Sequence, residues 1–481
     1  MRRALTSWLL AAGVLSLAGA GAAAGDAQPG VGREHQTQET TNSFNTTVPA
    51  HAYDLILARP ESNSVTLSVL AYQDLEGEVV YGTQPGACLI RTPVQECKAG
   101  VPVEFVIGSL RPNTPYYYQF RSRASGATRL SDGPECSFHT ARSPGSTFTF
   151  TLTADSHLDE HTSADVYRQT LENIRAGHPD FHIDLGNLFM TDKHASREDA
   201  ARQYLAQRFY LGQIGCSVPL FLALGTHDGE SSKDDDGSGD CLAAWSNRMR
   251  KGYFPDPVPD EFYTGNSTPD PRCGLLEDYY AWEWGDALFV VLDPFRYSRH
   301  WRGGGDGWGW SLGEAQYRWL ERTLERSGAR FKFVFIHNLL SGNPTARGGV
   351  EIAAFNEWGG RNRDGSDGFK ERRPGWDAPI RELLVRNQVT AVFKAHDNFY
   401  ARQELDGILY LMVPQPSFAG NDRIRDLGNY GYQEGTFIGN SGHVRVTVSA
   451  ERVMVEYVKS SARDPVADRR VIGAQPAHSS R

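Results

Sequence analysis

Phe148-Thr149-Phe150-Thr151-Leu152-Thr153-Ala154-Asp155-Ser156-His157 is the stretch on which the fold turns. Large apolar residues alternate with threonine and lead without a break into Ala154, as in a strand buried in a sheet. The run ends on a carboxylate and an imidazole two residues apart. Four more short motifs follow strand-like runs in the same way: Gly186-Asn187, Gly225-Thr226-His227-Asp228, Phe335-Ile336-His337 and Ala395-His396-Asp397-Asn398. Open α/β sheets bind ligands beyond the carboxyl ends of their strands, so motifs far apart in sequence can meet there. An isolated His is most often a hydrogen-bonded structural side chain, and His51, His178, His182 and His300 are read that way. His157, His227, His337 and His396, each behind a strand, are read as one site.

Helix and strand signals alternate between the motifs. Residues 164–176, 197–211, 312–324 and 377–385 read as helices, and 181–185, 220–224, 331–336 and 389–393 as strands. This order predicts a largely parallel sheet covered on both faces. Residues 443–448 and 453–458 alternate as a closing hairpin, and 460–481 reads as a disordered tail. Upstream, residues 49–142 carry short alternating runs at the spacing of a β-sandwich. Within them, Leu110-Arg111-Pro112-Asn113-Thr114-Pro115-Tyr116 is similar to the corner of fibronectin type III domains, where a Tyr braces the loop before its strand.

A chain of 481 residues with a net charge of −9 and 40% hydrophobic residues predicts two packed domains. The charge, with no basic stripe, excludes nucleic acid as a partner. Arg2-Arg3, the apolar run 8–15 and the small residues through Ala24 read as an export signal over 1–24, followed by a polar linker over 25–48. The expected product is secreted or periplasmic, without an integral membrane segment. Six cysteines suit that compartment. Cys88 with Cys97, Cys241 with Cys273, and Cys136 with Cys216 (or the last two free) are pairings among the 15 that six cysteines allow.

The order of the five motifs resembles that of the calcineurin-like metallophosphoesterases, which include the purple acid phosphatases. The family reads Asp-x-His, Gly-Asp, Gly-Asn-His, a lone His, then Gly-His-x-His. The resemblance covers most of residues 147–459 and implies a four-layer αββα sandwich, here preceded by the fibronectin-like module. It also implies two metal ions flanking a hydroxide. Asp155, His157, His337 and His396 match ligand positions, and His227 matches the catalytic His beside the leaving group. Asn187 stands at the bridging Asp, Thr226 at a ligand Asn (here a weak ligand) and Asn398 at the last ligand His. Met190 stands where purple acid phosphatases have their Tyr, so the colour that Tyr gives is expected to be absent.

With a neutral amide at the bridge, Asp155 is the only anion in the matched set, and two dications would repel strongly. The sequence therefore predicts one divalent transition metal (Zn, Fe, Mn or Cu), the imidazoles favouring Zn, Fe or Cu. It predicts hydrolysis of a small phosphoester, with substrate-binding residues unknown. A pseudoenzyme binding a metal or phosphorylated ligand, and a copper-type redox site, are the alternatives. Trp301-Arg302-Gly303-Gly304-Gly305-Asp306-Gly307-Trp308-Gly309-Trp310 reads as a mobile lid or as a surface loop with Trp anchored in the core. Lys394 reads as a stand-in for the space or charge of a missing cation.

Overall fold

The alternation around Phe148 marks the seam of the second module. Phe148, Phe150 and Leu152 point into a buried cluster with Phe181, Phe289, Phe333, Phe335 and Phe393. Thr151 and Thr153, on the opposite face, are buried as well. The computed structural model describes residues 43–299, 306–341, 347–420, 424, 427–460 and 466–474. The export signal, most of the linker, His300 and Trp301–Gly305 lie outside the described residues.

The strands of the second module form two mixed sheets, where the local alternation by itself pointed to one largely parallel sheet and the family resemblance to two β layers. The first has the order Leu220–Leu222, Phe181–Asp184, Phe148–Thr153, Gly442–Val448, Arg452–Lys459, Val466–Gly473. Its first three strands are parallel, with Leu152 opposite Ile183, and its last three antiparallel. The second sheet is parallel through Ala287–Val291, Phe331–Phe335, Ala391–Lys394 and Ile408–Met412, with antiparallel strands at both edges. Both sheets contribute to one aromatic core, in which the Phe150 ring lies 5.1 Å from Phe289 and 5.5 Å from Phe333. A buried run shows that a strand is covered on both faces. It does not show which sheet the strand joins.

The helix Ala164–Ala176 starts at Ser163, whose hydroxyl accepts the Val166 N–H, and buries Tyr167, Thr170, Leu171 and Ile174 at helical spacing. It packs with Arg197–Gly215 against Leu220 and Leu222 of the first sheet. The helices Gly313–Arg326 and Ile380–Arg386 bury Tyr317, Leu320, Leu383 and Leu384 against Val290, Val334 and Val392 of the second. Among the described residues, no helix is long and apolar enough to cross a membrane.

Residues 53–139 form two antiparallel sheets, one of three strands and one of five, enclosing Leu67, Val69, Phe105, Tyr118 and Phe120. Tyr116 braces the preceding loop: its hydroxyl accepts the Arg111 N–H at 2.9 Å. This module is not a separate body, because the described residues belong to one compact unit. Gly215 explains the close approach, since a Cβ there would lie 3.0 Å from Ile56 and 3.1 Å from the Leu55 carbonyl. Buried Arg208 adds a polar anchor, donating to Ser68 O at 2.8 Å.

Three sequence expectations are corrected. The tail over 460–481 contains the strand Val466–Gly473, held by Asp468, whose carboxylate accepts from Tyr400 and Arg402. The linker ends docked, with Asn45 N–H donating to Leu158 O and Phe44 lying 4.1 Å from the His194 ring. All six cysteines stand as free thiols in this structure, with Cys136 and Cys216 facing one another within hydrogen-bonding reach.

His182 is structural, as its isolation suggested. Its ring nitrogens lie 2.9 and 2.8 Å from the Thr151 and Thr153 hydroxyls. Burial holds the pKa values of His182 and of its neighbour His443 down at about 3. The unfolded chain takes up these protons near pH 6.5 and the folded chain only near pH 3. Stability therefore falls as pH drops through that window, by on the order of a few kcal/mol per imidazole. His443→Leu, at a position where Nδ1 has no hydrogen-bond partner, is expected to flatten the unfolding free energy against pH between 6.5 and 3. An unchanged slope in denaturant titrations would refute this account.

Candidate functional site

The five motifs meet at the carboxyl ends of the strands, and their backbone is strained into place. Asp155, His157, Asn187, His396 and Asn398 have φ of 59°, 47°, 57°, 84° and 58°, the left-handed region that non-glycine residues seldom occupy. Two glycines allow the central loops to touch. A Cβ on Gly225 would fall 2.1 Å from Asn187 N, and one on Gly186 would fall 2.2 Å from Gly225 N. Asp228 locks these loops: its carboxylate accepts the N–H groups of Asn187, Phe189 and Gly225 at 2.9, 2.9 and 2.8 Å. Asp184 does the same from behind, accepting from the Thr153 hydroxyl and the Gly186 N–H. Burial raises the pKa of both carboxyls.

Asp155 is the hub. Its Oδ1 accepts from Asn187 Nδ2 at 2.9 Å and lies 3.3 Å from His157 Nε2 and 3.8 Å from His337 Nε2. Its Oδ2 accepts the His396 N–H at 2.9 Å. Burial alone would raise this carboxyl, but His337, His157 and His396 outweigh it and hold the pKa well below the ordinary value. His157 is gripped from its other side by Asp159 Oδ2, 3.2 Å from Nδ1. Burial opposes its charge, yet the two carboxylates bring its pKa up to about 9.

His337 is completely buried, and its Nδ1–H donates to Leu185 O at 2.6 Å. The lone pair is therefore on Nε2, which has no hydrogen-bond partner. Asn398 Oδ1 is likewise buried without a partner. The His396 ring lies 5.3 Å from that of His337.

Asn187 cannot serve as the bridge that its position suggested. Its Oδ1 accepts the His227 N–H at 2.8 Å and the Thr226 hydroxyl at 3.2 Å, while its NH2 faces Asp155. The N–H of His227 requires an acceptor and Asp155 requires a donor, so these neighbours fix which way the amide points. Thr226 is spent on the same bond. Lys394 is buried and makes its hydrogen bond to Asp397, its Nζ lying 3.2 Å from Asp397 Oδ2, which also accepts from Tyr432. Met190 is a buried apolar residue. Trp308 and Trp310 are anchored in the interior, Trp308 by a bond from Nε1 to Asn362.

His227 has a partner that sequence did not reveal. Its Nδ1 lies 3.0 Å from Asp192 Oδ1, and Asp192 accepts from Lys233 Nζ at 2.6 Å. Burial outweighs Asp192 and lowers the pKa of His227, so the imidazole is neutral at pH 7. Burial would raise Asp192, but His227 and Lys233 together keep it ionised. An imidazole oriented by a carboxylate through Nδ1 has Nε2 left for proton transfer.

Two ions do not fit these residues, because the group at the bridging position turns an N–H, not an oxygen, toward Asp155. One ion is compatible with the unpaired His337 Nε2 and with the approach of two imidazoles to a single carboxylate oxygen. Among the described residues, however, no group of three or more His, Cys, Asp or Glu side chains stands open as a ready cage. Asp155 and His157 are bonded to each other instead.

A cleft of about 600 Å³ opens beside His157 and Asn398 and is also lined by Arg347 and Tyr430. Another, of about 530 Å³, runs along the junction of the modules past Asp180, at the opposite end of the strand Phe181–Asp184 from the motifs.

No family model and no curated protein matches the chain. Solved structures do. The structure of PhoD is 15% identical, covers 90% of this chain and 95% of its own, and superposes with a TM-score of 0.62. Purple acid phosphatase PPD1 from yellow lupin (Lupinus luteus) seeds is 16% identical, covers 87% and 74%, and gives a TM-score of 0.58. Similarity at this identity carries the fold and leaves the chemistry to the site. The fold of this chain is that of the calcineurin-like metallophosphoesterases.

Proposed function

We propose that the chain is an exported, single-metal phosphoester hydrolase. In this reading a four-layer αββα domain over 147–459 carries the site, and a fibronectin type III-like sandwich over 49–142 buttresses it. The observation that carries the reading is His337 Nε2, a buried lone pair without a partner beside Asp155 and His157. A single cation would be held by Asp155, His157 and His337, with His396 beside them, and would set positive charge against the phosphoryl oxygens. Asp159 orients His157 through its outer nitrogen, as carboxylates do for ligating imidazoles. His227 stands beside the leaving-group oxygen with Asp192 holding its ring in register; in its imidazolium form Nε2–H would donate the proton that the leaving oxygen takes, and in the neutral form Nε2 is an acceptor. A small-molecule phosphoester is the substrate, and the site strain supports a working pocket.

A second reading, a non-catalytic binder, is favoured by one observation: the side chains of Asn187 and His157 already satisfy the Asp155 carboxylate. Elemental analysis together with hydrolysis of an aryl phosphate separates the two. One equivalent of metal is expected. His337→Gln is expected to lose both metal and turnover, whereas His227→Gln keeps the metal and loses about 10²–10⁴-fold in kcat. Two equivalents of metal, or turnover indifferent to His227, would refute the single-metal hydrolase. Absence of both metal and turnover would favour the binder, and one copper with redox cycling would favour a mononuclear redox site.

A further inference from the structure

We infer that Arg347 is a phosphoryl-binding residue, and that the cleft beside His157 and Asn398 is where a phosphoester or free phosphate seats its non-bridging oxygens. The inference deepens the hydrolase reading but does not need turnover, because a binder of phosphorylated ligands would use the same contact.

The guanidinium of Arg347 is oriented before any ligand arrives. It lies 4.8 Å over the Tyr430 ring, donates through Nη1 to the His396 carbonyl, and approaches Asp397 Oδ1 at 3.5 Å. About a quarter of its side chain stays exposed, in the wall of the cleft. A cation–π contact and a backbone acceptor fix the plane of the fork, so little side-chain freedom is lost when an anion binds. A planar fork of N–H donors matches two phosphoryl oxygens.

The cleft has the volume of a small-molecule site. The carboxylates in its wall do not oppose an anion equally. Asp159 is already engaged by the His157 ring and the His161 N–H, Asp397 beside Arg347 is buried and also faces Lys394 and Tyr432, and Glu160 is exposed to solvent. The Asn398 amide adds a neutral group: its Oδ1 is buried without a partner, and rotating the amide presents its NH2 at the same place. His396 links the two halves of the pocket. Its N–H binds Asp155 and its carbonyl binds Arg347, so the arginine is held one peptide unit from the hub of the site.

The test is calorimetric titration of inorganic phosphate into the full chain, as purified and after chelation, with Arg347→Met and Arg347→Lys beside it. Arg347→Met is expected to weaken phosphate binding tenfold or more, and Arg347→Lys to recover part of it, with metal content unchanged in both. If hydrolysis is observed, KM for an aryl phosphate rises in step while kcat stays within about threefold, a split that a merely structural role would not give. Should Arg347→Met fail to fold, Tyr430→Leu reads the same contact and is expected to weaken binding several-fold. Arg347-dependent binding that survives chelation upholds the inference even where the metal reading fails. Phosphate affinity equal to wild type in a folded Arg347→Met or Tyr430→Leu variant overturns it, whatever the turnover.

Discussion

Asn187→Asp is expected to lower the melting temperature of the chelated protein by several degrees and to make its stability strongly metal-dependent. In the wild type the Asn187 amide is matched at both ends, with its oxygen accepting from His227 and Thr226 and its nitrogen donating to Asp155. The aspartate keeps the acceptor and loses the donor. It sets a second carboxylate oxygen where an N–H now lies 2.9 Å from Asp155 Oδ1, at a place where both side chains are buried. An unpaired buried charge of this kind costs about 3–5 kcal/mol. One carboxyl must then be protonated, or the loop must open.

A divalent cation removes the conflict, because two carboxylates facing one another are what a cation prefers. Its binding to the folded state alone adds stability by mass action. Thermal unfolding with chelator and with added Zn²⁺ or Mn²⁺ reads both effects. The gain on adding metal is expected to be larger in the variant than in the wild type. Equal melting temperatures in chelator, or equal gains on adding metal, would refute the contact between Asn187 and Asp155. The same reasoning orders the changes needed for a two-metal centre. Asn187→Asp comes first, and Thr226→Asn and Asn398→His add ligands only once the bridge exists.

The sequence showed the strands and the order of the motifs because both are local properties. Phe148, Phe150 and Leu152 alternate with threonines, and Tyr167, Leu171 and Ile174 recur on one helical face; each pattern needs only its own neighbours. The hairpin Tyr280–Trp284 with Ala287–Val291 at one side of the second sheet was not legible, since it is stabilised by rings of remote strands, such as Phe221 stacked at 4.1 Å on Trp282. The partners of the site residues were hidden for the same reason. Asp192 meets His227 across 35 positions, and Arg347 meets His396 across 49. Asn187 shows the limit most clearly. Its identity could be read from the sequence, but which end of the amide faces Asp155 depends on a backbone N–H brought in by Gly225-Thr226-His227.

Asp228→Ala is expected to destabilise the fold by on the order of 5 kcal/mol and to disorganise both central loops at once. The buried carboxylate accepts from three backbone N–H groups, those of Asn187 and Gly225 at Oδ2 and that of Phe189 at Oδ1. Alanine leaves all three without a partner in a space closed to water, at about 1–3 kcal/mol each. Asp228→Asn separates the bonds from the charge. An amide oxygen in place of Oδ2 keeps two acceptances, while its NH2 meets the Phe189 N–H donor to donor, so about one bond is lost. Chemical denaturation should therefore rank wild type above Asp228→Asn, and Asp228→Ala well below both. Because Asn187 N and the His227 loop are positioned through this carboxylate, the metal occupancy and phosphoester hydrolysis proposed for the site should fall in the same order. Equal destabilisation by asparagine and alanine would mean that the charge of Asp228, and not its count of acceptances, holds the loops together.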